Sequence, residues 1–266
     1  MLFDDKDYLK LEGKDIQGLA NFKNQFKQTG IEGRMIPPEV TWSNAVWKYA
    51  DSLFPNHVVY DEDIKEREQY LLDQTETFKA MLDDVSIREQ DILNFLRNQR
   101  AYHLILGLFQ FFEFGHHDRY LFREFKIGTS FQADYLLIGR GSGGTEFVWV
   151  ELESHVNNIT IKSGDFGTTI RKGLQQTNDW EKFINGNFSA VRAELQKHKS
   201  PEVNWEDEYI NYDPHKMHYV VVAGRRPDFN ERTYEMRRQS KMTNRLVLHY
   251  DNLVDKSEWL VKLRKW

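Results

Sequence analysis

The segment Phe131–His155, FQADYLLIGRGSGGTEFVWVELESH, decides how the chain is read. Two apolar runs flank the turn Gly139-Arg140-Gly141-Ser142-Gly143-Gly144, the grammar of a β-hairpin. Alternate side chains of a strand share a face. Glu151 and Glu153 therefore lie together, with Val148, Val150 and Leu152 on the opposite face. Pairing within the hairpin can bring Asp134, on the first strand, beside both glutamates. Three carboxylates held together repel one another, and a divalent cation is the usual remedy. A solvated hairpin with its acids turned outward is the plainer alternative, but these strands are more apolar than a half-exposed hairpin requires.

An Asp on one strand followed by Glu-x-(Lys/Glu) on the next is the pattern of PD-(D/E)xK nucleases, so the flanking elements have to decide. With 266 residues the chain can hold one large domain or two small ones. It contains no cysteine, which excludes disulfides and thiolate metal sites and suits a cytoplasmic protein. The start, MLFDDKDYLKLEGKD, lacks the basic and apolar regions of a signal peptide. No apolar run approaches the ~20 residues of a membrane span. A net charge of −5 argues against broad wrapping of nucleic acid while permitting a local basic groove.

Outward from the hairpin, residues 1–85 read as a small helical accessory region. Ile16, Leu19, Phe22 and Phe26 are spaced for one helix, ended by Gly30 and Gly33. After Pro37-Pro38, a second helix carries Trp42, Ala45, Val46, Tyr49 and Leu53, and a third spans Glu62–Leu82. Ser86-Ile87-Arg88-Glu89 fits a capping box, opening a helix that can run on to Phe112. Glu89 is read either as that cap or as a helical acid facing the carboxylates. Tyr120–Ile127 reads as a strand with Leu121, Arg123, Phe125 and Ile127 on one face. His116-His117 has no matching ligand spacing.

Beyond the hairpin, Asn157–Thr168 reads as a loop and Thr169–Gly186 as an amphipathic helix with Ile170, Leu174, Thr177, Trp180 and Ile184 inward. Lys172, Gln176 and Asp179 share a neighbouring face, either a solvated flank or part of the site. A mildly basic helix continues to about Lys199. Met217–Ala223 is apolar enough for a strand covered on both faces. A helix near Asn230, a strand Arg245–His249 and a helix from Asp251 to Trp266 complete the chain. Between His215 and Arg245, eight Lys or Arg stand against three acids, a local surplus of five positive charges. This is either an exposed basic helix or a surface for phosphates.

Taken in order, Glu89–Leu96, Asp134-Tyr135-Leu136-Leu137, Val150-Glu151-Leu152-Glu153, Leu174–Trp180, Val221–Arg225 and His249–Leu253 resemble the C-terminal domain of Shedu antiphage defence proteins. The resemblance covers residues 86–266 and leaves 1–85 unassigned. It implies an α/β fold of the restriction-endonuclease-like, PD-(D/E)xK kind, a mixed sheet flanked by helices. It also implies a Mg²⁺- or Mn²⁺-dependent DNA endonuclease, and a homo-oligomer such as a tetramer. Asp134, Glu151 and Glu153 would be the metal-binding acids, and Gln176 would orient water or a phosphate oxygen. Glu153 stands where the commonest motif has lysine, as in the E-x-E subset of restriction endonucleases. Lys172, one turn before Gln176, is then the candidate for the missing positive charge. Arg225, Arg226, Arg237 and Arg238 are the expected DNA contacts. The alternative is a catalytically inactive nuclease fold serving as a DNA-binding or assembly module.

Overall fold

The computed structural model describes residues 2–29 and 43–263. Six α-helices precede the sheet among these residues: α1 (Lys14–Thr29), α2 (Asn44–Asp51), α3 (Asp61–Lys65), α4 (Glu68–Asp83), α5 (Glu89–Asn98) and α6 (His103–Leu106), the last followed by a 3-10 helix, Gly107–Phe111. β1 (Arg119–Ile127), β2 (Phe131–Gly141) and β3 (Gly144–Leu152) form an antiparallel meander. Parallel neighbours require a crossover. The crossovers are α7 (Thr168–Gln196), leading to β4 (Met217–Val222), and α8 (Glu231–Lys241), leading to β5 (Arg245–Leu248). α9 (Tyr250–Leu263) closes the described chain, and the strand order is β1-β2-β3-β4-β5.

The fold is thus mixed α/β, with helices on both faces of the sheet. On one face Phe78, Leu82, Leu96, Leu253 and Leu260 pack on Leu137, Val150, Leu152 and Val222. On the other, Trp180, Ile184 and Val191 of α7 join Phe54 against Phe122, Leu136, Trp149 and Tyr219. β4 sends residues to both clusters, as its apolar run requires. Residues on the two sides of position 85, the expected boundary, share one core: Leu71, Phe78 and Leu82 pack with residues of α5, β3 and α9. Before the first helix of the sheet domain, residues 57–59 also lie along the outer edge of β1. There the Val59 amide donates to Arg119 O and the Leu121 amide to His57 O, each at 2.9 Å.

Several local expectations are corrected. The hairpin turn is tighter than its glycines suggest: Gly141 pairs with Gly144, so Gly139 and Arg140 stay in β2. The helix expected over Glu62–Leu82 divides into α3 and α4. α5 is capped two residues later, by the Arg88 amide donating to Asp91, while Ser86 Oγ binds Asp84. The helix does not continue to Phe112, because Arg100 turns into the left-handed region at φ 51°. β1 does not keep one face throughout: Leu121 joins one core, whereas Phe122, Phe125 and Ile127 join the other. The alternation breaks at Glu124, whose φ is 48°. The helical break expected after Gly186 is present as a kink at Asn187. Gly30, Gly33, Pro37-Pro38, Trp42, Trp266 and the Phe26 side chain lie outside the described residues.

Candidate functional site

Asp134, Glu151 and Glu153 come together where β2 and β3 part. Their backbone pairing ends at Tyr135–Val150. Beyond it the Leu152 amide donates at 2.7 Å to the Asp134 carboxylate, so a side chain takes the ladder's next hydrogen bond. Directly across the sheet, Glu124 carries the break in β1. Glu151 and Glu153 continue the face of Phe147 and Trp149, under α7, with only 5% and 2% of their surface exposed. One oxygen of each, Glu151 Oε2 and Glu153 Oε1, is buried without a hydrogen-bond partner among the described residues.

α7 approaches closely at Gly173. A Cβ there would stand 2.6 Å from a Val221 methyl and 3.1 Å from Glu153 Cγ. Only glycine allows this approach, and it brings Lys172 Nζ to 2.8 Å from Glu153 Oε2. Half-buried Gln176, one turn on, makes no bond to the acids among those described. It lines a cavity of about 420 Å³ with Lys172, Asp179, Ser130 and Gln132.

The electrostatics follow from burying like charges. Burial pushes the Asp134 carboxyl up to about 7, the Leu152 amide opposes this, and Glu89, Glu153 and Glu124 add repulsion. Glu151 is pushed up to about 9 by burial, then by Asp134 and Glu153, with Lys172 opposing. Glu153 is raised by burial and drawn back by Lys172. Glu89 is a residue whose role the sequence left open. The cap belongs to Arg88 and Asp91, and the charge of Glu89 is felt at all three carboxylates. Its place at the first turn of α5, in E-x-x-I-x-x-F-L, was the available signal. Tyr250 was missed: it is fully buried and its hydroxyl donates to Glu153 O at 2.7 Å.

An all-oxygen, anionic donor set with two unbonded oxygens suits a hard divalent cation such as Mg²⁺ or Mn²⁺. Among the described residues, however, no three His, Asp or Glu side chains already converge closely enough to hold an ion. As the site stands, Lys172 is the cation at Glu153.

The basic stretch is divided by its partners. Arg225 binds Asp251 and Asp83 at 3.0 Å each, and Arg226 pairs with Asp255. Lys216, Arg232 and Arg245 are also ion-paired, with Glu208, Asp165 and Glu181. Arg237, Arg238 and Lys241 of α8 have no carboxylate partner among the described residues, and burial alone lowers the Arg237 guanidinium from its ordinary range. α8 shares a small core with the first turn of α7 through Tyr234, Met236 and Ile170. The free cations therefore sit on the helix beside the one that carries Lys172.

Fold and site together define a mixed α/β protein with an acidic cluster at the parting of its central strands. Residues 86–254 match the family described as Shedu protein SduA, C-terminal, and the chain belongs to that family. No curated protein sequence matches the chain. Among the described residues no helix is long and apolar enough to cross a membrane.

Proposed function

We propose that the chain is a metal-dependent DNA endonuclease of the PD-(D/E)xK kind, acting in antiphage defence. One observation carries this reading. Three carboxylates share a site with two buried, unbonded oxygens, an arrangement costly for folding that a cation would satisfy. Asp134 and Glu151 would hold Mg²⁺ or Mn²⁺, with Glu153 as a further ligand. When bound, the ion supplies charge neutralisation at the phosphate and a more acidic water.

The remaining work falls to the chain's own side chains. Glu153, raised above the ordinary carboxylate range, is suited to take the proton of the attacking water as the phosphorus–oxygen bond to the leaving strand breaks. Lys172 supplies positive charge where the commoner motif has lysine, and Gln176 borders the cavity through which water and a phosphate oxygen would be oriented. Arg237 and Arg238 would hold the backbone electrostatically. Arg225 and Arg226 could join them only by giving up their carboxylates.

The rival is an inactive nuclease fold that binds DNA or assembles. The Lys172–Glu153 ion pair favours it, because it already neutralises one of the acids. Cleavage of linear and supercoiled DNA in Mg²⁺ separates the two. The wild type is expected to cut, and Asp134→Asn and Glu151→Gln to lose cutting while still retarding DNA in a gel. A wild type that binds DNA but cuts none leaves the rival.

A further inference from the structure

Glu153 has little to hold it from its own side chain. One carboxylate oxygen is unbonded and the other meets a lysine that is 61% exposed. Its backbone is fixed instead, through its amide to Val222 O at 2.8 Å and its carbonyl to Tyr250 Oη at 2.7 Å. Tyr250 is in turn tied down on both sides. Its amide donates to Gly224 O at 3.0 Å, and its ring lies edge-on to His155 and against Phe78 of α4.

The next residue, Asp251, accepts from Arg225 Nη2 at 3.0 Å and from the Arg226 amide at 2.7 Å. Arg225 reaches on through Nη1 to Leu82 O and to Asp83 at 3.0 Å, while His155 Nε2 meets Asp84 O at 3.3 Å. The last carbonyls of a helix lack partners within it and attract donors and positive charge. The end of α4 is thus held by two residues that leave the ends of the central strands. α4 lies before residue 86, outside the part of the chain that matches the family.

We infer that Tyr250 is the positioning residue for Glu153, and that the Arg225–Asp251 clasp makes this positioning depend on the seating of α4. With α4 docked, the phenol holds the Glu153 carbonyl and the acids stay together. With α4 displaced, the strand end after Leu152 loosens. The inference rests on reading the carboxylates as the active site, but its core concerns the order of residues 151–155 and needs no activity.

The test is hydrogen exchange on the full chain, without metal or DNA, comparing wild type with Tyr250→Phe, Asp83→Ala and Asp251→Asn. In Tyr250→Phe, amides of 151–155 should exchange about tenfold faster, the effect of one lost buried hydrogen bond, while 145–149 are unchanged. Asp83→Ala and Asp251→Asn should act on the same segment in the same direction. Unchanged exchange at 151–155, or a uniform rise over β1 to β5, overturns the inference, since a merely structural tyrosine would loosen the whole sheet. Mn²⁺ titration by calorimetry then separates the two readings. Weaker Mn²⁺ binding in Tyr250→Phe supports both. A wild type that binds no Mn²⁺ removes the metal site and leaves the exchange result to decide the positioning.

Discussion

Glu151 concentrates the cost of the site, being 5% exposed with one oxygen unbonded and a carboxyl pushed up to about 9. The fold favours its neutral form, so that contribution to stability is complete below about pH 4.5 and is lost as pH rises through about 9. The melting temperature in chelator should therefore fall between pH 7 and 9, by at most about 1.4 kcal/mol of stability per pH unit. Glu151→Gln should flatten that slope, and Mg²⁺ should restore the wild type at pH 9. An equally steep slope in Glu151→Gln would show that another group titrates. Lys172 is the complementary case. If its charge serves the phosphate, Lys172→Ala should lose about a hundred- to thousand-fold in cleavage. Its melting temperature should hardly move, because the ammonium is exposed and Glu153 can take up a proton in its place. Unimpaired cleavage would leave Glu153 to work without the lysine.

Among the elements, α8 is where charge and shape part company. Among the described residues Arg237 and Arg238 lack carboxylate partners, whereas Arg225 and Arg226 tie the end of β4 to α4 and α9. Arg237→Ala with Arg238→Ala should flatten the slope of log affinity against log salt by about 2 for duplex DNA, at about 0.9 per phosphate contact. Arg225→Ala should chiefly lower the melting temperature; a slope change there and none in α8 would move the groove. The strands were legible because period-two alternation and apolar runs are local properties. So were the helical break after Gly186 and the start of α8 near Asn230. Asp134, Glu151 and Glu153 were legible as a group because strand pairing follows from one hairpin. What stayed hidden depends on distant partners. Asp83, Asp251, Asp165 and Glu181 neutralise the basic stretch from elsewhere in the chain. Asp91 displaces Ser86 and Glu89 as the cap, and Tyr250 reaches Glu153 across 97 residues.

For the whole molecule, the helices before residue 86 and the sheet stand or fall together. Phe78 of α4 is fully buried in the core that also holds Val150, Leu152 and Leu253. Phe78→Ala should cost about 3–5 kcal/mol, read from denaturant unfolding monitored at the tryptophans. Loss of well under 1 kcal/mol would mean that α4 docks only loosely. The strip 57–59 has a different consequence. By pairing with Arg119–Leu121, it uses backbone donors and acceptors at the start of β1 that would otherwise template strand addition. The opposite edge, β5, offers only four residues. Among the described residues, strand-to-strand merging of two copies would therefore have to use β1 beyond Leu121, where the left-handed turn at Glu124 breaks the strand, or the short edge of β5. Short or broken edges of this kind are poor templates for fibril-like growth.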